Sequence, residues 1–119
     1  MKLERYFAAE RAPLAVRVLD PTTYTLRGGR VQRMLNRKSC WYAYLGPGTK
    51  LFVFQTYPGS SQELPAAAEI RWDRGLSFHI YLWQDTTAVF WQEKDHCCVL
   101  VSEAAPEELV RLAQASANR

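Results

Sequence analysis

The 119-residue sequence has no long apolar run, and no stretch approaches the roughly 18 residues that a membrane-spanning helix needs. It also lacks the apolar core of a signal peptide, because its first residues, MKLERYFAAER, carry charge on both sides of a short apolar patch. We therefore expect a cytoplasmic protein if the chain is complete. If the chain is a domain excised from a longer protein, we expect an extracytoplasmic one.

Signatures of catalysis are missing as well. The sequence contains no Gly-x-Ser-x-Gly elbow, no phosphate-binding glycine loop and no His-Glu-x-x-His pair. Carboxylates are few within the predicted strands, where Glu69 and Glu93 are the examples. These absences favour a protein that is not an enzyme and that uses no cofactor.

The bulk composition is that of one folded domain spanning residues 1–119. Hydrophobic residues make up 48% of the chain and charged residues 23%, which is ordinary for a globular domain of this length. We expect an ordered core from Leu3 to Ala113 and a short C-terminal tail. The densest basic stretch, Arg27 to Lys38, holds five basic residues and no acid, but nucleic-acid surfaces usually show a tighter stripe. No nucleic-acid partner is expected.

The periodicity of the sequence predicts a sheet between two helices. Leu3 to Ala9 has the spacing of a short helix, and Pro106 opens a second helix with acidic residues in its first turn. The clearest hairpin joins SCWYAYL to KLFVFQTY through the turn Gly46 to Thr49. Leu14 to Leu19 also reads as a strand, and Gly28-Gly29 as a hairpin turn.

Further strands follow a loop at Pro58 to Ala68, whose composition suggests a mobile flap. They lie at Glu69 to Trp72, Leu76 to Trp83, Thr87 to Glu93 and Cys97 to Ser102, separated by short turns. Strands joined without intervening helices pair antiparallel. The predicted fold class is therefore α+β, with a curved antiparallel sheet of about six to seven strands, a short N-terminal helix and a C-terminal helix.

The stretch HCCVLVSE raises the question of a metal or thiol site. Three cysteines are an odd count, which does not indicate a disulfide scaffold. Adjacent residues of a strand point to opposite faces, so Cys97 and Cys98 do not easily bind one metal ion together. A zinc site drawn from Cys40, His79, His96 and one of this pair, with Cys97 as the named candidate, is the alternative to simple burial.

Aromatic residues are concentrated in two parts of the chain, Trp41 to Tyr44 and Trp72 to Trp91. Such density lines ligand grooves and partner surfaces, and it also occurs as cross-strand pairing that holds a sheet together. A platform on which single-stranded nucleic acid stacks is a further alternative. The candidate ligand or partner surface comprises Trp41, Tyr44, His79, Trp83 and Trp91.

Three segments together resemble a known family. These are LAVRVLDPTTYTLRGGRV, then SCWYAYLGPGTKLFVF, then LSFHIYLWQDTTAVFWQEKDHCCVLVSEAAPEELVRLA. In order, they are similar to the extracytoplasmic sensor domain of transmembrane anti-sigma factors of the zinc-finger (RsiW-like) type. The matching positions are Tyr24, Leu26, Gly28, Gly29, Arg30, Tyr44, Gly46, Leu51 to Phe54, Trp91, Val99 to Val101 and Pro106 to Leu109.

The resemblance covers about Leu3 to Ala113 and implies regulation through protein contact or ligand sensing. The His-x-x-x-Cys-x-x-Cys motif by which that family binds zinc and its sigma factor is absent, as is the membrane helix. The chain is thus expected to be a regulatory or binding module whose partner is a protein, in a sigma/anti-sigma system or another, or a small ligand. A homodimer is a further expectation, since exposed edge strands invite pairing. The alternative function is that of a metal- or thiol-dependent protein using Cys40, Cys97 and Cys98 with His79 or His96.

Overall fold

A computed structural model describes residues 3, 5–6, 19–34, 37–60 and 64–117. Its secondary structure consists of seven strands followed by a helix. The elements are β1 (Thr25–Met34), β2 (Arg37–Leu45), β3 (Leu51–Pro58), β4 (Glu69–Asp73), β5 (Leu76–Trp83), β6 (Thr86–Glu93), β7 (His96–Ser102) and α1 (Pro106–Ser116).

The strands form one open antiparallel sheet in the order β1-β2-β3-β7-β6-β5-β4. Two meanders, β1 to β3 and β4 to β7, meet where β3 pairs with β7, and β1 and β4 are the two edges among the described residues. The expected antiparallel sheet with a C-terminal helix is confirmed. Of the N-terminal helix predicted over Leu3 to Ala9, the structure describes residues 3, 5 and 6, which are helical, and the rest of the predicted helix lies outside the described residues.

Two further predictions in the first part of the chain have different outcomes. The strand predicted over Leu14 to Leu19 lies outside the described residues except for Leu19, which is buried in the core. The hairpin turn at Gly28-Gly29 is wrong, because both glycines lie inside the continuous strand β1. They occupy a bulge at which the register with β2 shifts between Leu26 and Gly28.

Close packing explains why the chain has glycine at this bulge. Gly28 has a φ of 152°, a backbone conformation that residues with a side chain rarely adopt. At Gly29 an added Cβ would lie 2.6 Å from the Trp41 carbonyl oxygen. The glycine pair therefore permits a bulge and a close strand approach, which a hairpin prediction from local sequence does not anticipate.

Short turns connect strands β4 to β7 of the second meander, as the sequence predicts. Two-residue turns join β4 to β5, β5 to β6 and β6 to β7. The first residues of these turns, Arg74, Gln84 and Lys94, have φ values of 49°, 55° and 54°. Positive φ values in two-residue turns match the twist of the strands that they join.

The sheet has a helical face, on which α1 packs over β5, β6 and β7, and an open face on the opposite side. Leu109, Val110 and Ala113 of α1 are buried against β5, β6 and β7. The helical face supplies most of the core, including Tyr42 stacked on Phe54 at 5.2 Å and Phe78 tilted against Trp91 at 5.7 Å between ring centroids. Because neighbours in the register share a face, the pairing assigns every strand residue to one face or the other.

Candidate partner surface

The predicted surface residues divide between the two faces. Tyr44 is 4% exposed and Trp91 is 0% exposed, and both belong to the core cluster on the helical face. Trp41, His79 and Trp83 lie on the open face, where Trp83 is 74% exposed. The structure therefore places three of the five candidate residues where a partner can reach them and uses the other two for packing.

The two buried candidates are held by specific contacts. The indole N–H of Trp91 donates a hydrogen bond of 2.7 Å to Oε2 of Glu93 within the core. Tyr44 meets Phe54 edge-on, with ring centroids 6.2 Å apart. Aromatic pairs of this geometry stabilise a fold beyond the effect of burial alone. For Tyr44 and Trp91, the structure therefore favours packing within the sheet over a place on a partner surface.

Strand β4 supplies two exposed side chains that the sequence reasoning did not single out. Ile70 is 49% exposed and Trp72 is 75% exposed, and both lie on the open face because they pair with His79 and Ser77. Arg71, between them in the strand, points to the helical face and bonds Glu107 of α1. On this edge strand, the apolar side chains thus face solvent and the arginine faces the helix. In most sheets with one solvated face, the apolar side chains face the core and the polar ones face solvent.

The two edges of the sheet differ in their protection. β1 carries Arg27, Arg30 and Arg33 and the glycine bulge, and the backbone N–H of Val31 donates to the hydroxyl of Tyr6 at 3.5 Å. Charged residues and bulges on an edge strand discourage pairing with another chain. β4 also carries charge, but Glu69, Arg71 and Asp73 lie on its helical face, whereas its exposed side chains on the open face are apolar. A partner strand at this edge would therefore gain both hydrogen bonds and buried apolar area.

A shallow hollow lies at the other end of the open face. It has a volume of about 500 Å³ and is lined by Leu51, Val53, Thr86 and Val101 together with the turn before β3 and Glu103. Trp83 pairs with Thr86 and therefore stands beside it, and Leu51 is 51% exposed. The open face thus offers apolar contacts at this end and at the β4 edge.

The described residues of the crossover from β3 to β4 are bonded to side chains of the open face and to the backbone of β5. The Gln92 side-chain amide donates to the carbonyl oxygen of Gly59 at 2.9 Å, and the Tyr81 hydroxyl donates to that of Pro65 at 2.7 Å. The backbone N–H of Ala68 donates to the carbonyl oxygen of Ile80 at 2.9 Å. These bonds tether the described residues of the loop, which the composition predicted to be a mobile flap.

The four residues of the predicted metal site do not converge. Cys40 and His96 lie on the helical face, whereas His79 and Cys97 lie on the open face. His79 is instead paired with Ser77, whose hydroxyl oxygen is 3.2 Å from Nε2 of the imidazole. Cys40, Cys97 and Cys98 are all buried, and none of them forms a disulfide bond.

Burial also makes two of the thiols poor nucleophiles. It raises the pKa of Cys40 to about 12. Burial raises the pKa of Cys97 as well, against the opposing effect of a hydrogen bond with Tyr57. Since the thiolate is the reactive form, neither side chain has the environment of a catalytic or redox-active cysteine.

Among the described residues, one cation–π contact is found, and it lies on the open face between β1 and β2. The guanidinium carbon of Arg30 lies 4.9 Å from the centre of the Trp41 ring. The stack covers one face of this tryptophan with a cation from the neighbouring strand β1. Trp41 is consequently half-buried, and the more accessible aromatic side chains are Trp72 and Trp83.

Comparison with known proteins assigns no relative to this chain. No family model, no curated protein and no solved structure matches it. Among the described residues, no helix has both the length and the apolar character needed to cross a membrane. The site geometry and the sequence resemblance are accordingly the basis of the functional proposal.

Proposed function

We propose that the protein is a non-enzymatic regulatory or binding module that recognises a protein partner through edge strand β4 and the adjoining open face. The observation that carries the proposal is the exposure of Ile70 at 49% and Trp72 at 75% on an edge strand. Exposed apolar side chains such as these have a free-energy cost in solution that a partner removes. Tryptophan is also the residue type most enriched among those that dominate binding energies.

The mode of recognition follows from the strand geometry. A partner segment in extended conformation would pair with the outer side of β4, and main-chain hydrogen bonds would supply part of the affinity. The Trp72 ring would then lie against alternate side chains of that segment, because side chains on one face recur every second residue. Trp83 would contribute to the contact from the far end of the open face.

The resemblance to anti-sigma sensor domains supplies the class of partner. It favours a protein of a sigma/anti-sigma regulatory system, with this chain as the part that senses or is bound. Three of the residues that carry the resemblance pack together: Tyr24 meets Phe52 edge-on at 5.3 Å, and Gly46 lies close beneath both rings. The resemblance therefore supports the scaffold, and the β4 edge supports the recognition.

Affinity capture followed by measured binding tests the proposal. The tagged protein is used to capture partners from a native lysate, and each captured protein is then purified and titrated against wild type, Trp72→Ser and Trp83→Ser. We expect Trp72→Ser to weaken binding by about tenfold or more, as is typical for a central aromatic contact. Leu82→Ser is the matched control, because Leu82 is 57% exposed but lies on the helical face.

Two results would contradict the proposal. One is a partner that binds Trp72→Ser and wild type equally while losing affinity for Leu82→Ser. The other is a purified protein that captures no partner but turns over a substrate. Sedimentation of the purified chain shows whether the partner is a second copy of the chain. If β4 pairs between copies, wild type sediments as a dimer and Trp72→Ser as a monomer.

A further inference from the structure

Three side chains with metal-binding atoms meet on the helical face at the β6–β7 turn. One ligand atom each from Glu93, His96 and Cys98 lies within 4.8 Å of the other two. Glu93 is 6% exposed, Cys98 is 2% exposed and the His96 side chain is 22% exposed. The cluster is thus mostly buried, with the imidazole at its solvent side.

The hairpin builds this cluster from local geometry. Glu93 pairs with His96 across the two-residue turn, which places the carboxylate and the imidazole side by side on one face. Cys98 follows His96 by two residues and therefore shares that face, whereas Cys97 points away. The spacing Glu-x-x-His-x-Cys in a tight hairpin is sufficient to bring all three together.

Neighbouring groups orient two of the three side chains. The Trp91 indole N–H donates to Oε2 of Glu93 at 2.7 Å, which fixes the carboxylate from the core side. Oδ1 of Asp95 lies 3.3 Å from Nδ1 of His96. When that nitrogen donates to Asp95, Nε2 is left with its lone pair, the carboxylate–histidine arrangement found around metal ions.

We propose that Glu93, His96 and Cys98 bind a divalent zinc ion, with a water molecule in the fourth position. Carboxylate oxygen, imidazole nitrogen and thiolate sulfur are the three ligand types that zinc accepts in proteins. Ligand atoms around tetrahedral zinc lie about 3.3–3.8 Å apart, so the side chains close by at most about 1.5 Å on binding. The ion gives the buried Glu93 carboxylate an adjacent positive charge and fixes the β6–β7 turn.

Cys40, which the sequence offered as a ligand, is too distant to join this site. It pairs with Thr56 of β3, which in turn pairs with Cys98 of β7. Two strand spacings, about 9–10 Å, therefore separate the backbones of Cys40 and Cys98. Of the four residues in the earlier set, only His96 is retained.

Zinc titration of the chelator-treated protein tests the site. We expect one zinc ion per chain, measured by competition with a chromophoric chelator, and a rise in the thermal unfolding midpoint that chelator reverses. Cobalt, used as a spectroscopic probe, should give a thiolate-to-metal charge-transfer band. His96→Asn and Cys98→Ser should each lower zinc affinity by at least about tenfold, the smallest loss seen even for orienting groups.

The chain offers a matched control for two of the substitutions. His79→Asn removes the other imidazole, and Cys97→Ser alters the adjacent thiol on the opposite face. Both controls should keep wild-type zinc affinity, and circular dichroism verifies that each variant is folded. Absence of stoichiometric zinc binding by the wild type, or equal loss of affinity in the His79→Asn control, would overturn the proposal. The result is independent of whether β4 binds a partner.

Discussion

The two faces of the sheet use their tryptophans in opposite ways. On the helical face, Trp91 is 0% exposed and is bonded to Glu93. On the open face, Trp72 and Trp83 are 75% and 74% exposed. We therefore expect the same residue type to stabilise the domain on one side and to add little to its stability on the other, where we propose the partner surface.

The strands that carry these tryptophans differ in how much of them is covered. The central strands β6 and β7 are buried on the helical face by α1 and partly covered on the open face by the crossover. The edge strand β4 has five residues and pairs with β5 alone among the described strands. Stability is therefore expected to depend on the centre of the sheet and recognition on its β4 edge.

The largest expected effect is on the helical face. Trp91→Ala should lower the free energy of unfolding by about 3–5 kcal/mol, because it leaves a cavity and removes a buried hydrogen bond. Denaturant unfolding followed by circular dichroism measures the change. A loss no greater than that of Trp83→Ala would break the distinction between the two faces.

A second prediction concerns alkaline pH and the helical face. Burial raises the pKa of Cys40 from an ordinary 9.0 to about 12, so the unfolded chain releases this proton first. The stability that the protonated thiol contributes is fully present below about pH 9 and is lost as the pH rises towards about 12. Between about pH 8 and about pH 10.5, the denaturant midpoint of unfolding should therefore fall less for Cys40→Ala than for wild type.

Other groups that titrate in this range affect wild type and Cys40→Ala equally, so we compare the slopes of the denaturant midpoint against pH for the two proteins. Burial also raises the pKa values of Tyr24, Tyr44 and Tyr81, and these residues are common to both proteins. The difference between the two slopes consequently isolates Cys40. Parallel slopes for wild type and Cys40→Ala would show that the thiol is not held protonated by the fold.

A smaller effect is expected where β4 is tied to α1. Arg71 bonds both Glu69 and Glu107, and its hydrogen bonds lower the pKa of Glu107. The stability from this pair is present above the ordinary carboxylate pKa of 4.5 and is lost as the pH falls through the lower folded value. Glu107→Gln should destabilise slightly at neutral pH, and added salt should reduce the difference.

Glu103→Gln serves as the control for that measurement, since Glu103 is an exposed carboxylate that lies before α1. We expect it to leave the unfolding midpoint near that of wild type at both neutral and acid pH. A Glu107→Gln effect that persists unchanged in acid would show that the ion pair is not its source.

The smallest effect on stability is expected at the exposed tryptophans. Trp72→Ser and Trp83→Ser should each change the free energy of unfolding by less than about 0.5 kcal/mol, because their rings are mostly in solvent. The same denaturant series measures both. A loss of several kcal/mol from either would mean that the ring packs within the domain and would remove it from the partner surface.

Local patterns predicted most of the second meander correctly. The turns at Arg74-Gly75, Gln84-Asp85 and Lys94-Asp95 follow stretches with strand character, so each strand could be bounded from the sequence. The start of α1 at Pro106 was equally clear, because proline and two glutamates favour a first turn. These features depend on neighbours in the chain, which is why sequence reasoning reaches them.

Features that depend on distant residues were not predicted. The Gly28-Gly29 bulge depends on the approach of Trp41 from β2, and the pairing of β3 with β7 depends on the crossover. Ile70 and Trp72 alternate with charged neighbours, and only the position of β4 at the edge reveals that their side is exposed. The cluster of Glu93 with His96 and Cys98 is different, because its spacing is local and only the exact position of the two-residue turn was needed to place the three side chains on one face.

Footprinting of the tryptophans with a photoactivated carbene tests the central claim most directly. In the free protein, we expect labelling of Trp72 and Trp83 and none of Trp91, in line with their exposures of 75%, 74% and 0%. In the complex with a captured partner, Trp72 labelling should fall sharply while the Trp91 signal stays absent. Equal Trp72 labelling in the free and bound protein would contradict the assignment of β4 as the recognition edge.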